Sequence, residues 1–256
     1  MTGFLASVRS AEEALLALEG GTDIIDAKEP AAGALGRLAP AVLRAILGRV
    51  GGKRPVSATI GDVALEPETV LPAAEAMAAL GVDIIKIGLF DGDLAATLAA
   101  LAPLARRGVR LVAVAFADRA PDLSAIVPRC AAAGFYGAML DTADKASGSL
   151  TAHLGEAALA GFITLARRHG LVSGLAGSLR RADIPALAPL GADYLGFRTA
   201  LTAGDRSGAL DPAAFAAVRA ELDQARSSAT ATAGAISAAA GASANAATGS
   251  ISSTAR

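Results

Sequence analysis

One short pattern recurs along the chain and fixes most of what it can become. Gly21-Thr22-Asp23-Ile24-Ile25 returns as Gly81-Val82-Asp83-Ile84-Ile85 and Gly191-Ala192-Asp193-Tyr194-Leu195, with Gly134-Phe135-Tyr136-Gly137-Ala138 as a weaker copy. Each copy has a glycine after a helical stretch and an apolar run behind it, the signature of a helix ending and a strand beginning. The copies lie roughly 53 to 60 residues apart, which leaves room in every interval for one more strand and helix of about 28 residues together. Further strands are predicted at Phe4 to Val8, Pro55 to Ile60, Val109 to Phe116 and Leu171 to Ala176. Helical spacing of apolar residues predicts helices over Pro67 to Leu80, Leu94 to Arg107, Glu156 to His169 and Pro212 to Gln224. Ser10-Ala11-Glu12-Glu13 has the form of a capping box at the start of the first helix.

Alternating buried strands and helices predict a parallel sheet, and about eight even units predict closure into a (β/α)8 TIM barrel. An open, doubly wound sheet is the alternative. The expected organisation is a single catalytic domain over residues 1–225. From Arg226 to Arg256 the chain is dominated by Ala, Ser, Thr and Gly, with no charge in between. A low-complexity tail, expected to be disordered, is therefore assigned to 226–256.

Net charge is −1, with both signs interspersed, so neither a nucleic acid nor an anionic membrane is an expected partner. No segment reaches the roughly 18 to 20 apolar residues of a membrane span. The single Cys130 rules out an intrachain disulfide framework and reads as a small buried hydrophobe. With no secretory pattern at the N-terminus, the expected location is the cytoplasm.

Of 23 basic residues only Lys28, Lys53, Lys86 and Lys145 are lysines. Arginine holds its proton at any working pH, whereas a desolvated or cation-crowded lysine can lose it and act as nucleophile or base. Lys53 lies in the polar turn Gly51-Gly52-Lys53-Arg54 and reads as a solvated charge. The other three fall at strand ends. Asp26 and Lys28 share one face of the second predicted strand, and aligning the repeats puts Lys86, Asp141 and Arg198 at the same parity. The opposite face carries Ile25, Ala27, Ile85, Ile87, Leu140 and Phe197, which suits contact with helices. The charged set is therefore expected inside the barrel at its carboxyl end, with Lys145 reaching back over the mouth. Such a cluster suits a Schiff-base lysine beside a general base. A ring of internal salt bridges is the alternative reading.

A second set surrounds the predicted ends of strands seven and eight: Gly177 and Ser178, then Arg198, then Gly204-Asp205-Arg206. Loops there commonly grip phosphate in this fold, and Arg198 or Arg206 could add a bidentate contact. Asp62 and Asp118 also follow strands and either line the mouth or cap helices. His153 and His169 lack carboxylates at metal-ligand spacing, so no metal is expected. No Gly-x-Gly-x-x-Gly follows a strand, so no nicotinamide cofactor is expected either.

The runs Asp23-Ile24-Ile25-Asp26-Ala27-Lys28-Glu29-Pro30, Val56-Ser57-Ala58-Thr59-Ile60-Gly61-Asp62, Ile85-Lys86-Ile87-Gly88-Leu89 and Met139-Leu140-Asp141-Thr142-Ala143 together resemble the (5-formylfuran-3-yl)methyl phosphate synthases. Leu175-Ala176-Gly177-Ser178 and Gly204-Asp205-Arg206 match as well, and the likeness spans about residues 4 to 224. The resemblance implies a TIM barrel that joins two molecules of glyceraldehyde 3-phosphate, with loss of phosphate and water. The product would be the furan precursor of methanofuran, a one-carbon carrier. It implies a carbon–oxygen lyase without a cofactor, acting on a small triose phosphate, and leaves homo-oligomerisation open. Lys28 falls at the family's Schiff-base lysine and Lys86 at its proton acceptor, with Asp141 and Lys145 at other functional positions. Asp26, Gly177, Ser178, Arg198, Gly204, Asp205 and Arg206 are the candidate substrate or phosphate contacts. Glu29 stands where Asn is frequent in the family. A class I aldolase-like enzyme on sugar phosphates and a catalytically idle phosphate-ligand sensor are the rival readings.

Overall fold

The computed structural model describes residues 2–227. Eight parallel strands follow one another in order: β1 (Gly3–Val8), β2 (Ile24–Ala27), β3 (Val56–Thr59), β4 (Ile84–Gly88), β5 (Arg110–Phe116), β6 (Gly137–Asp141), β7 (Val172–Leu175) and β8 (Tyr194–Phe197). β8 pairs with β1 in parallel and closes the barrel. Helices α1 (Ala11–Glu19), α2 (Pro40–Val50), α3 (Pro67–Ala79), α4 (Leu94–Arg106), α5 (Leu123–Ala132), α6 (Leu150–His153), α7 (Glu156–Arg168) and α8 (Ile184–Leu187) lie between or after the strands, and α9 covers 212–227. Each expected strand and helix is present within a few residues of its predicted bounds.

The repeat has a mechanical meaning. Its glycines, Gly21, Gly81, Gly134 and Gly191, have φ of 78, 85, 82 and 76°, the left-handed turn that ends a helix and that glycine adopts without strain. Its aspartates clamp the start of the preceding strand. Asp23 Oδ2 accepts the Phe4 N–H at 2.7 Å, Asp83 Oδ2 the Val56 N–H at 2.9 Å and Asp193 Oδ2 the Ser173 N–H at 2.7 Å. The weaker copy has Tyr136 in the aspartate's place, and its hydrogen bond to the preceding strand comes from the backbone N–H, to Leu111 O at 2.8 Å.

Strand parity divides the core into two layers. Ile25, Ala27, Ile85, Ile87, Leu140 and Phe197 are buried outward against the helices, as expected. Leu5, Ile84, Val112, Val114, Met139 and Tyr194 form an apolar plug inside the barrel. Above that plug sits the charged layer described below. Between β7 and β8 the helix is a single turn, flanked by 3-10 turns at Arg181–Asp183 and Ala188–Leu190. Pro185 can start a helix, and Pro189 removes a donor where α8 gives way to the 3-10 turn Ala188–Leu190.

At the other end of the chain, α9 runs two residues beyond the expected domain boundary at 225. The Arg226 guanidinium donates to Thr2 O at 2.8 Å through Nε and to Asp23 Oδ2 at 3.0 Å through Nη2, so it belongs to the barrel. The expected tail beyond Ser227 lies outside the described residues. Among the described residues, no helix is long and apolar enough to cross a membrane.

Candidate active site

Three strands converge on Asp26. Ser7 on β1 is in register with Asp26 on β2, which is in register with Ser57 on β3. Ser7 Oγ donates to Asp26 Oδ2 at 2.9 Å and Ser57 Oγ to Oδ1 at 2.7 Å. Lys86 Nζ, from β4, lies 2.5 Å from Oδ1. Burial alone would raise the Asp26 carboxyl, but the ammonium groups of Lys86 and Lys28 and these hydrogen bonds hold it below the ordinary carboxylate range. Asp26 is therefore held as an anion, with Lys86 as its ion-pair partner.

A second pair faces it from β6. Asp141 accepts from Lys145 Nζ and from the Thr142 N–H, the latter at 2.8 Å. Lys145 also donates to the Thr142 carbonyl, so its ammonium is folded back over the cavity as the sequence suggested. Burial works against the Asp141 anion too, and the cations of Lys145 and Lys28 outweigh it.

Lys28 stands between the two pairs and belongs to neither. It follows β2, its backbone N–H donating to Val8 O at 3.0 Å. Only 6% exposed, its amine makes no hydrogen bond or ion pair among the described residues. Desolvation, offset in part by Asp141 and reinforced by the cations of Lys145 and Lys86, brings its pKa down to about 8. Roughly one Lys28 in ten is then a neutral amine at pH 7. The internal-salt-bridge alternative thus describes Lys86 and Lys145 but not Lys28.

These groups line one cavity with Gly177, Ser178, Arg198 and Arg206. Its enclosed space is ≈ 30 Å³, and through Lys145, Ser178, Thr199 and Arg206 it adjoins an outer chamber of ≈ 300 Å³. Gly177 has φ of 103°, and a Cβ there would come within 3.0 Å of Thr142 N. Only glycine lets the β7 loop press this closely on the β6 end. Ser178, next in line, is held at φ 50°, a strained conformation for a non-glycine residue.

Arg198 departs from its expected part. Nε donates to Arg206 O at 2.8 Å, Nη1 to Ser7 O at 3.1 Å and to Glu13 Oε2 at 2.5 Å, Nη2 to Glu13 Oε1 at 3.2 Å and to Gly208 O at 2.6 Å. All five N–H donors are occupied by protein, so in this geometry Arg198 offers no bidentate contact to a phosphate. It ties β8 to β1, α1 and the 206–208 loop. Arg206 is the arginine of the pair with donors open to the cavity, one Nη2 bond to Gly33 O at 3.1 Å being its recorded contact. Gly204 lines neither chamber, and Asp205 lines the outer one with Oδ1 accepting from the Ser207 N–H at 2.5 Å.

The capping box is half formed for the same reason. Ser10 Oγ accepts the Glu13 N–H at 3.2 Å, but the Glu13 carboxylate turns to the Arg9 N–H and to Arg198. Asp62 and Asp118 are braces. Asp62 accepts the Ala34 and Leu35 N–H groups at 2.8 and 2.7 Å, and Asp118 those of Ala143 and Asp144 at 2.8 and 2.7 Å. Each follows an odd strand and holds the loop after its even neighbour. Glu29 caps the turn Pro30–Ala32 through the Ala31 N–H at 3.0 Å. Sequence reading missed Ser7 and Glu13 as members of this region; polarity at an inward position of an otherwise apolar β1 was the available signal for Ser7. Among the described residues, no three His, Cys, Asp or Glu side chains are grouped to hold a metal ion.

Residues 4–219 match the profile of the family described as 4-HFC-P synthase. The chain is 41% identical over 215 residues to the (5-formylfuran-3-yl)methyl phosphate synthase of Methanopyrus kandleri, covering 79% of this chain and 91% of that one. It is 47% identical over 214 residues to a Methylorubrum extorquens protein whose name, the same synthase, is itself provisional, covering 83% and 88%. In fold it is similar to 3-hexulose-6-phosphate synthase from Salmonella typhimurium, at TM-score 0.65 and 15% identity over 88% of this chain and 100% of that chain.

Proposed function

The chain belongs to the 4-HFC-P synthase family, and from that premise we propose that it condenses two molecules of glyceraldehyde 3-phosphate to (5-formylfuran-3-yl)methyl phosphate through an imine on Lys28. The observation that carries this reading is the unpaired, buried Lys28 amine with its pKa brought down to about 8. An amine nucleophile must be neutral to attack a carbonyl, and of the three cavity lysines Lys28 alone lacks a carboxylate partner.

One triose phosphate is first isomerised to its ketone. Lys86, beside the Asp26 carboxylate, is assigned to take the proton from one carbon and return it to its neighbour. The ketone carbonyl then accepts the Lys28 amine and loses water, giving an imine. Deprotonation next to the imine carbon leaves an enamine, the carbon nucleophile for the new carbon–carbon bond to a second triose phosphate. Asp141 and Lys145 serve the later proton transfers that accompany loss of inorganic phosphate, ring closure, dehydration and hydrolysis of the Lys28 imine, in which water restores the carbonyl oxygen and the free amine leaves. Gly177, Ser178 and Arg206 hold the phosphate that is retained. The reaction needs no electron acceptor, since carbon is redistributed and not oxidised overall. This makes the protein a carbon–oxygen lyase acting on a small-molecule phosphate in the cytoplasm, within methanofuran-type one-carbon metabolism.

The test is incubation of purified protein with glyceraldehyde 3-phosphate alone. A furan chromophore, one equivalent of inorganic phosphate and the product mass are expected. Borohydride with triose phosphate should add mass at Lys28. Active enzyme labelled elsewhere, or not at all, overturns the imine.

A further inference from the structure

The outer chamber carries chemistry that the inner site does not account for. Its ≈ 300 Å³ is walled by Lys145, Ser149, Ser178, Arg180, Asp205 and Arg206, among others. Three cationic side chains thus meet one carboxylate, and Asp205 is turned to its own loop through the Ser207 N–H. Lys145 is held by Asp141 and Arg206 by Gly33 O. Arg180 is different. Its backbone N–H is anchored to Asp183 Oδ2 at 2.7 Å, which fixes where the side chain starts, yet its guanidinium enters no ion pair among the described residues. A guanidinium with open donors at the rim of a cation-lined chamber is suited to bidentate capture of a phosphate.

The inner cavity encloses only ≈ 30 Å³ around Lys28. The outer chamber, at ≈ 300 Å³, is where the room for a second anion lies. We propose that the outer chamber binds the phosphate of the second triose phosphate, with Arg180 as its principal contact and Lys145 and Ser149 beside it. This rests on the two-triose reading above. The first substrate sits on Lys28 with its phosphate on the Gly177–Ser178 side, and the second enters over Lys145 with its reacting carbons directed inward. Arg180 then decides whether the incoming partner must be phosphorylated, while taking no part in imine formation.

Arg180 is exposed and its removal does not threaten the fold. Arg180→Ala and Arg180→Lys would be compared with the unaltered protein in three measurements: KM for glyceraldehyde 3-phosphate, competitive inhibition by inorganic phosphate, and borohydride trapping on Lys28 with dihydroxyacetone phosphate alone. The expected result for Arg180→Ala is a KM raised about tenfold or more, weaker inhibition by phosphate and unchanged trapping, with Arg180→Lys recovering part of the loss. Unchanged KM and phosphate inhibition overturn the proposal, and so does a fall in trapping parallel to the fall in turnover. If the unaltered protein is not trapped at all, the imine reading fails by itself, and the phosphate-inhibition arm still decides whether Arg180 holds an anion.

Discussion

Lys86 Nζ lies 2.5 Å from Asp26 Oδ1, with both side chains 1% exposed. A charge pair this deep depends on both members, because removing one strands the other in a medium that cannot solvate it. Asp26→Asn should therefore lower unfolding free energy by about 3–5 kcal/mol, read from denaturant melts. Asp26→Asn combined with Lys86→Met should recover most of that stability and none of the turnover. Additive losses in the double variant would mean that the two groups are not coupled as described.

Imine formation should follow the Lys28 amine. Its pKa is depressed by burial to about 8, so the rate of borohydride-trappable complex should climb about tenfold per pH unit below that value and level off above it. Lys145 is one of the cations that lower the Lys28 pKa, and its removal also leaves Asp141 unneutralised. Both changes favour the Lys28 ammonium. Lys145→Met should then move the rising limb to higher pH, whereas a limb that stays in place would show that Lys145 does not act on Lys28.

Stability carries the same signature with a definite sign. In the unfolded chain Lys28 titrates near 10.5 and in the fold near 8, so between those values the unfolded state binds more protons and stability rises with pH. Below pH 8 both states are protonated, and the buried cation costs the fold its full penalty. Lys28→Met should thus be more stable than the unaltered protein at pH 7 by a few kcal/mol, and the gap should narrow as pH rises toward 10.5. Chemical denaturation at pH 7 and 10 measures both points.

Much of this was written in the sequence. The closed barrel followed from the Gly-x-Asp repeat, because each copy marks a helix end and a strand start at a near-constant spacing. The inward face of Asp26, Lys28, Lys86 and Asp141 followed from strand parity alone. What parity cannot encode is partnership. Arg198 has the correct parity for the cavity, but its partner Glu13 lies 185 residues away in sequence, and no local pattern distinguishes an arginine that awaits a phosphate from one already bonded on every donor. Asp62 and Asp118 look alike as residues after strands, and only the folded loops show that they brace the neighbouring unit. The even spacing of the repeat left room for a longer helix than the single turn of α8.

The repeat aspartates should be worth more than their exposure suggests. Asp83 accepts the Val56 N–H at 2.9 Å and also faces Arg110, so Asp83→Ala leaves the start of β3 without an acceptor at the amino end of the barrel, away from the cavity. A loss of about 1–3 kcal/mol is expected, with KM and kcat unchanged at a temperature where the variant is folded. Hydrogen exchange should locate the loss, with the Val56 amide exchanging faster.

Cys130 offers a probe of global opening. Its thiol is fully buried and burial pushes its pKa up to about 12, so it should resist alkylation by iodoacetamide at pH 8 in the folded protein and react once the barrel opens. Rapid labelling of native protein would contradict the packing of α5 against the barrel.

The Arg198 and Glu13 bridge should behave as a positioning device and not as a substrate contact. Arg198 carries the 206–208 loop through two backbone carbonyls while Glu13 holds its guanidinium. Arg206, on that loop, is the cation that opens to the cavity. Arg198→Lys keeps the charge but cannot supply five donors in a planar fork, so Arg206 loses its placement. KM for triose phosphate should rise several-fold, and stability should fall by about 1–3 kcal/mol. The acid limb for imine formation should stay near pH 8, because Arg198 is not among the groups that set the Lys28 pKa. Glu13→Gln should reproduce the change in KM although Glu13 does not line the cavity. A Glu13→Gln variant with an unaltered KM would show that the bridge serves stability alone.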